Sequence, residues 1–164
     1  MQRVFGAKKI KASSSGWGGF TLTELLVVIA IMAALVAIAI PRFIALRPAR
    51  QLNGATRAVL GQLYWARARA VEENNQFVVS FATSHSLTIL DDKNNNGTAD
   101  AGEATWTRDL QTDYPGVTLS KGAGNPDPIF VPRGTVGGTT TVAVTNSSGS
   151  RTLTVNVTGV ITIS

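Results

Sequence analysis

Cysteine is absent from this chain, and histidine occurs once, as His85. The first absence excludes disulfides, thiolate metal sites and a cysteine nucleophile, so a location outside the cytoplasm would have to be sustained without covalent staples. The lone histidine sits between Ser84 and Ser86 in a turn-like stretch with no base or nucleophile pattern around it. Acid–base catalysis therefore finds little support, and no enzymatic activity is expected. No glycine-rich phosphate loop is present. Trp65, Trp106 and Tyr64 are not interleaved with Lys and Arg as a base-stacking platform requires, so they read as helix-to-sheet packing residues. Acidic residues are missing in blocks, with none before Glu24 and none between Glu24 and Glu72.

What is present is organised in segments. The formal charge of +5 resembles a nucleic-acid footprint, but Arg3, Lys8, Lys9 and Lys11 supply four of the fifteen basic residues within residues 1–19. From Phe20 onward eleven Lys and Arg face ten Asp and Glu, so the basic balance leaves with a removable leader. Residues 1–19 thus read as a cytoplasmic leader. From Leu25 to Ile40 every residue is apolar. With Phe20 to Glu24 added, the run covers about 21 residues, or roughly 31 Å of helix, which is enough to span a bilayer core. One membrane-spanning helix over residues 20–41 is expected, with a kink or loosening at Pro41 and again at Pro48.

Residues 42–75 continue as an amphipathic helix. Leu52, Ala55, Val59, Leu63, Ala66 and Ala70 recur at three- and four-residue intervals, and Asn74 and Asn75 supply a stop. Arg42, Arg47, Arg50, Arg57, Arg67 and Arg69 precede any acid on this stretch, which suits a solvated face beside anionic lipid headgroups or an acidic partner. Residues 76–164 then change to short β-branched runs separated by Gly, Pro, Asn and Asp. Strands are predicted at 77–82, 87–90, 104–110, 117–120, 129–131, 139–145, 151–157 and 160–163, with Asn146 to Gly149 as a turn. The expected class is α+β: a long N-terminal helix, half membrane and half amphipathic, packed on an antiparallel sheet or sandwich head.

Gly19, Phe20, Glu24, the apolar span and Ala39-Ile40-Pro41-Arg42-Phe43, behind a basic leader, resemble the amino terminus of a type IV pilin or type II secretion pseudopilin. The remainder is similar to the GspH/FimT family of minor members, through Ala66 to Val71, Asp100 to Glu103, Phe130-Val131-Pro132-Arg133-Gly134 and the segment ending Thr158-Gly159-Val160-Ile161. The resemblance implies cleavage between Gly19 and Phe20 by a prepilin peptidase, N-methylation of Phe20, a single pass in the inner membrane with a periplasmic head, and assembly with other pilins or pseudopilins. It further implies a minor subunit of a type II secretion pseudopilus or type IV pilus, at the tip or in filament initiation. Thr23 stands where an aliphatic residue is usual in such proteins, and Gly159 is followed by Val160-Ile161-Thr162 where DNA-binding FimT-like members carry a Gly-Arg-x-Arg pattern.

Three sets of residues carry the candidate chemistry. An ionisable group in a membrane segment costs about 2.5 to 3.5 kcal/mol, so Glu24 needs a partner. Its helix-start position offsets only about 0.3 to 1 kcal/mol. Cleavage after Gly19 would place a new α-amine on Phe20, one turn away in the same chain and within reach of Glu24 in a neighbour. Asp92, Asn94, Asn96, Thr98, Asp100 and Glu103, with Gly97 at the sharp turn, fit the spacing of a calcium loop, although ordinary Asn-rich hairpin loops share these residues. A DNA-receptor role would need Arg133, Arg151 or Lys121 to form a patch. The competing architecture is a secreted or pilus-borne binding domain, calcium-dependent or DNA-binding, with the span removed after Ala37-Ile38-Ala39 and a mature chain starting at Ile40.

Overall fold

A computed structural model describes residues 19–164; most of the leader, residues 1–18, lies outside the described residues. A single α-helix, α1 (Leu22–Glu72), is followed by eight strands: β1 (Gln76–Ser80), β2 (Ser86–Asp92), β3 (Thr105–Asp109), β4 (Thr118–Lys121), β5 (Ile129–Phe130), β6 (Thr140–Asn146), β7 (Gly149–Val155) and β8 (Ile161–Ile163). Every predicted strand is present, with ends shifted by a few residues. The helix runs through Pro41 and Pro48 as one element. A proline removes one intrahelical bond and crowds the carbonyl four residues back, which in a helix of 51 residues does not end the element.

The chain forms two compact units that meet between Arg42 and Phe43. In the first, the large aliphatic side chains from Leu22 to Ile40 each expose at least half of their surface, Val28 and Val36 being the least exposed at 50%. A helix that is apolar on all sides, with none of those sides covered, is suited to lipid or to other helices.

In the second unit two four-stranded antiparallel sheets run in the orders β3-β2-β1-β5 and β4-β6-β7-β8. Leu52, Ala55, Thr56, Val59, Leu63, Ala66 and Ala70 are the buried residues of α1. They form one core with Phe77, Val79, Leu87, Ile89, Phe130, Val142, Val144, Leu153 and Val155 from the strands. The apolar stripe read from the sequence is therefore the packing face, with Thr56 added. Its hydroxyl donates to Leu52 O at 2.7 Å, so burial leaves no unmet hydrogen bond there. The alternation in β6 and β7 places Val142, Val144, Leu153 and Val155 inward.

Local signals close the elements. Asn74 has φ of 53° just past the helix, and Asn75 N–H donates to Ala70 O, a left-handed C-terminal cap. The β6–β7 hairpin turns through Ser147 and Ser148, where Asn146 Oδ1 accepts from Ser148 N–H. The Asn146 amide donates in turn to Pro48 O at 2.7 Å, tying the hairpin tip to the helix. Trp65 packs edge-on against Phe77 and Trp106, with ring centroids 6.2 and 5.0 Å away, confirming these aromatics as helix-to-sheet packing.

The loops after β5 and β7 meet closely. Arg67 Nε donates to Gly134 O at 2.9 Å, and Gly159, at φ of 75°, lies so near that a Cβ on it would overlap Gly134 O. Both the space and the backbone conformation demand glycine there. Gly159→Ala should therefore cost the head about 3 kcal/mol of stability, measured by denaturant unfolding of the wild-type and variant proteins, whereas Gly61→Ala, where a Cβ meets nothing, should not destabilise it.

Candidate functional site

The start of α1 is built by a reciprocal pair that the sequence reading missed. Thr21 N–H and Thr21 Oγ1 both donate to Glu24 Oε2 at 3.0 Å, and Glu24 N–H donates to Thr21 Oγ1 at 3.2 Å. Thr21 is the N-cap and Glu24 the third helical residue, a capping box whose signal, Thr21-x-x-Glu24, stands in the sequence. Both contacts fall on one carboxylate oxygen, and among the described residues Oε1 has no hydrogen-bond partner. Before this cap the chain is not helical: Gly19 and Phe20 are exposed, and a Cβ added at Gly19 would meet nothing. The fold itself therefore makes no demand for glycine at position 19.

The Asp92–Glu103 loop is closed by its own hydrogen bonds. Asp92, fully buried, accepts from Asn96 N–H at 3.0 Å and Gly97 N–H at 2.7 Å. Asn94 Oδ1 accepts from Asn96 N–H, and Asn96 Oδ1 from both donors of Thr98. Glu103 accepts from the N–H groups of Lys93, Asn94 and Asp100 at 2.9, 3.3 and 3.0 Å. Asn95 and Gly97 take φ of 60° and 75°, so Gly97 does serve the sharp turn. The side-chain amides of Asn94 and Asn96 aim their N–H donors at Asp100 Oδ2, at 2.7 and 2.6 Å, where a coordinated cation would need oxygens facing inward. Among the described residues no group of three His, Asp or Glu side chains is arranged to hold a metal ion. The calcium spacing is present, and the same residues close the loop on itself through hydrogen bonds.

Those same two amides hold the Asp100 carboxyl below its ordinary range. Its share of stability is present above the unfolded carboxylate value and lost as pH falls through the lower folded one. Beside the loop, the buried Asp91 accepts from the Asn75 amide and lies 3.7 Å from Lys93 Nζ, which joins the end of the helix to β2.

Two of the three cations considered for a DNA patch, Arg133 and Arg151, lie apart. Arg133 borders a groove with Tyr64, Arg67, Ala68 and Val71, while Arg151 borders another with Ala49, Leu52 and Asn53. Those helix segments are about 17 residues apart, about 25 Å along the axis. Lys121 is ion-paired with Asp127. His85 lies in the β1–β2 turn, its Nδ1 2.8 Å from the Gln111 amide nitrogen.

Residues 55–159 match the family model described as type II transport protein GspH. The chain belongs to the GspH family. Among solved structures, the type IV minor pilin FimU of Pseudomonas aeruginosa aligns with a TM-score of 0.54 at 17% identity, over 68% of this chain and 91% of that one. The minor pseudopilin EpsH from the type 2 secretion system of Vibrio cholerae aligns with a TM-score of 0.54 at 15% identity, over 70% of this chain and 96% of that one. At such identities the likeness is one of fold. No curated protein sequence matches significantly. The GspH match begins at Ala55 and ends at Gly159, so it takes in the buried helix stripe from Ala55 onward, both sheets up to the end of β7, and the Arg67–Gly134–Gly159 junction. The chain thus shares the fold of these two proteins.

Because the Asp92–Glu103 loop is held by internal hydrogen bonds, Glu103→Ala should lower the stability of the head by about 1 kcal/mol even in chelator. The melting midpoint of the parent should be the same in millimolar calcium and in chelator. A midpoint that rises with calcium, and does so only while Asp92 and Glu103 are intact, would restore the metal reading.

Proposed function

We propose that this GspH-family chain is a minor subunit of a type II secretion pseudopilus or type IV pilus, processed between Gly19 and Phe20 by a prepilin peptidase. The observation that carries the reading is the amino-terminal arrangement: an exposed, non-helical Gly19–Phe20 bond, then a capped helix that is apolar and uncovered on every side. Since neither space nor backbone requires glycine at position 19, the residue suits the demand of a processing enzyme that must approach the bond closely. N-methylation of the new Phe20 amine belongs to the same reading. The leader and its four cations stay in the cytoplasm, α1 crosses the inner membrane once, and the head lies in the periplasm.

Glu24 then has two tasks. Its Oε2 caps its own helix through Thr21, and Oε1 is available to the Phe20 amine of a neighbouring subunit. Such a pair would compensate the buried carboxylate and set the axial register between subunits, with the apolar helices packing into the filament interior. Placement in filament initiation or at the tip is supported by the minor status of both FimU and EpsH, whose fold this chain shares.

Two measurements test the reading. Gly19→Leu should leave the head's unfolding unchanged, yet yield an unprocessed precursor absent from filaments; mass spectrometry of the N-terminus should give Phe20 as the first residue of the parent. A mature chain starting at Ile40 would instead establish the secreted architecture. Glu24→Gln keeps a carbonyl acceptor for Thr21 but removes the charge, whereas Glu24→Ala removes both. If the ion pair drives assembly, both variants should be recruited at least tenfold less well than the parent in competition; recruitment of Glu24→Gln at the parent level would reduce Glu24 to a helix cap.

A further inference from the structure

The six arginines between Arg42 and Arg69, unopposed by any acid before Glu72, are not used by the filament reading. Three of them lie on one face. At about 100° per residue, Phe43, Arg47, Arg50 and Arg57 fall within an arc of about 80°, and the buried stripe from Leu52 to Ala70 lies on the opposite side of the helix. All four are exposed. The Arg47 and Arg50 guanidinium carbons stand 5.9 and 5.5 Å from the Phe43 ring centroid, so two cations gather over one aromatic face. Among the described residues neither arginine has an acidic partner within ion-pair distance, whereas Arg69, Lys93, Arg108 and Lys121 each have one.

We propose that Phe43, Arg47 and Arg50 form a collar that binds the phosphates of anionic lipid headgroups at the membrane surface. The inference rests on the single-span reading above. Counted along the chain from Ile40, these residues follow at about 4.5, 10 and 15 Å of helical rise. The headgroup layer adds about 5 to 8 Å on each side of the hydrocarbon, and arginine stems extend toward it while the charge remains hydrated. Phe43 then sits at interfacial depth and Arg47 within direct reach. Arg50 lies within the roughly 8 Å over which surface charge is felt at physiological salt. Arginine suits the task because its planar fork pairs with phosphate oxygens. Arg57 is about 25 Å from Ile40 by the same count and lies outside the collar. The collar would hold the subunit at the bilayer until assembly draws it out.

Residues 43–164 contain every side chain of the core and form a compact unit of their own, so this fragment can be tested without the span. It should sediment with vesicles of phosphatidylglycerol at low salt and not with vesicles of phosphatidylcholine. Each of Arg47→Gln and Arg50→Gln should weaken that association about fivefold, and the double variant about 25-fold, with unfolding unchanged because both side chains are exposed. Arg133→Gln combined with Arg151→Gln should bind as the parent does. Binding to both lipids alike, equal loss in the two double variants, or displacement by millimolar inorganic phosphate at matched ionic strength would each overturn the collar. Failure of the span reading shows separately, as release of the full-length chain from membranes by alkaline carbonate.

Discussion

The burial of one helical stripe against two sheets is the constraint on which the head depends. Leu52, Val59 and Leu63 supply bulk, while Ala55, Ala66 and Ala70 let the backbone approach the strands closely. Fully burying a Leu or Val side chain stabilises by roughly 1.5 to 3 kcal/mol, so the stripe alone outweighs any surface ion pair in the molecule. Two tethers fix how the helix lies on the sheets, Asn146 reaching Pro48 O near one end of the packed stretch and Arg67 reaching Gly134 O further along. Each joins residues distant in sequence, 98 and 67 apart, and each satisfies a backbone carbonyl.

The other end of the helix obeys a different constraint. Among the described residues upstream of Arg42 no side chain contributes to the core, and their apolar surface is left uncovered. In water such a surface would drive aggregation; in a bilayer or among like helices it is matched to its surroundings. A carboxylate at the beginning of this segment is tolerable because the capping box meets part of its hydrogen-bonding demand within its own chain. Under the proposed reading, Glu24 would thereby be positioned before a partner arrives, which would lower the entropic cost of pairing with one.

The Asp92–Glu103 loop shows how one set of residue types serves two purposes. Asp, Asn and Gly at calcium-loop spacing supply oxygens and a sharp turn, yet those residue types are also the ones that close turns with their own backbone. Here Asp92, Asn94, Asn96 and Glu103 are engaged by amide N–H groups. The pattern of residue types was legible; the direction in which each amide points was not, because it follows from the competition between backbone donors and solvent once the loop is folded.

Much of the architecture was written locally. The buried face of the helix and all eight strands follow from periodicity and from turn residues, because burial of one face imposes a repeat of 3.6 or 2 on the chain itself. The Thr21–Glu24 cap is equally local and was there to be read. What only the tertiary structure decided were relations between distant segments. The grouping of eight strands into the orders β3-β2-β1-β5 and β4-β6-β7-β8 depends on which faces the helix covers, and no repeat in the chain encodes it. The need for glycine at 159 arises from a carbonyl 25 residues earlier in the chain, Gly134 O, that happens to pass beside it. The separation of Arg133 and Arg151, and the gathering of Arg47 and Arg50 over Phe43, follow from where helix and strands settle. Charge of one sign carries no instruction about its neighbours until packing has chosen them.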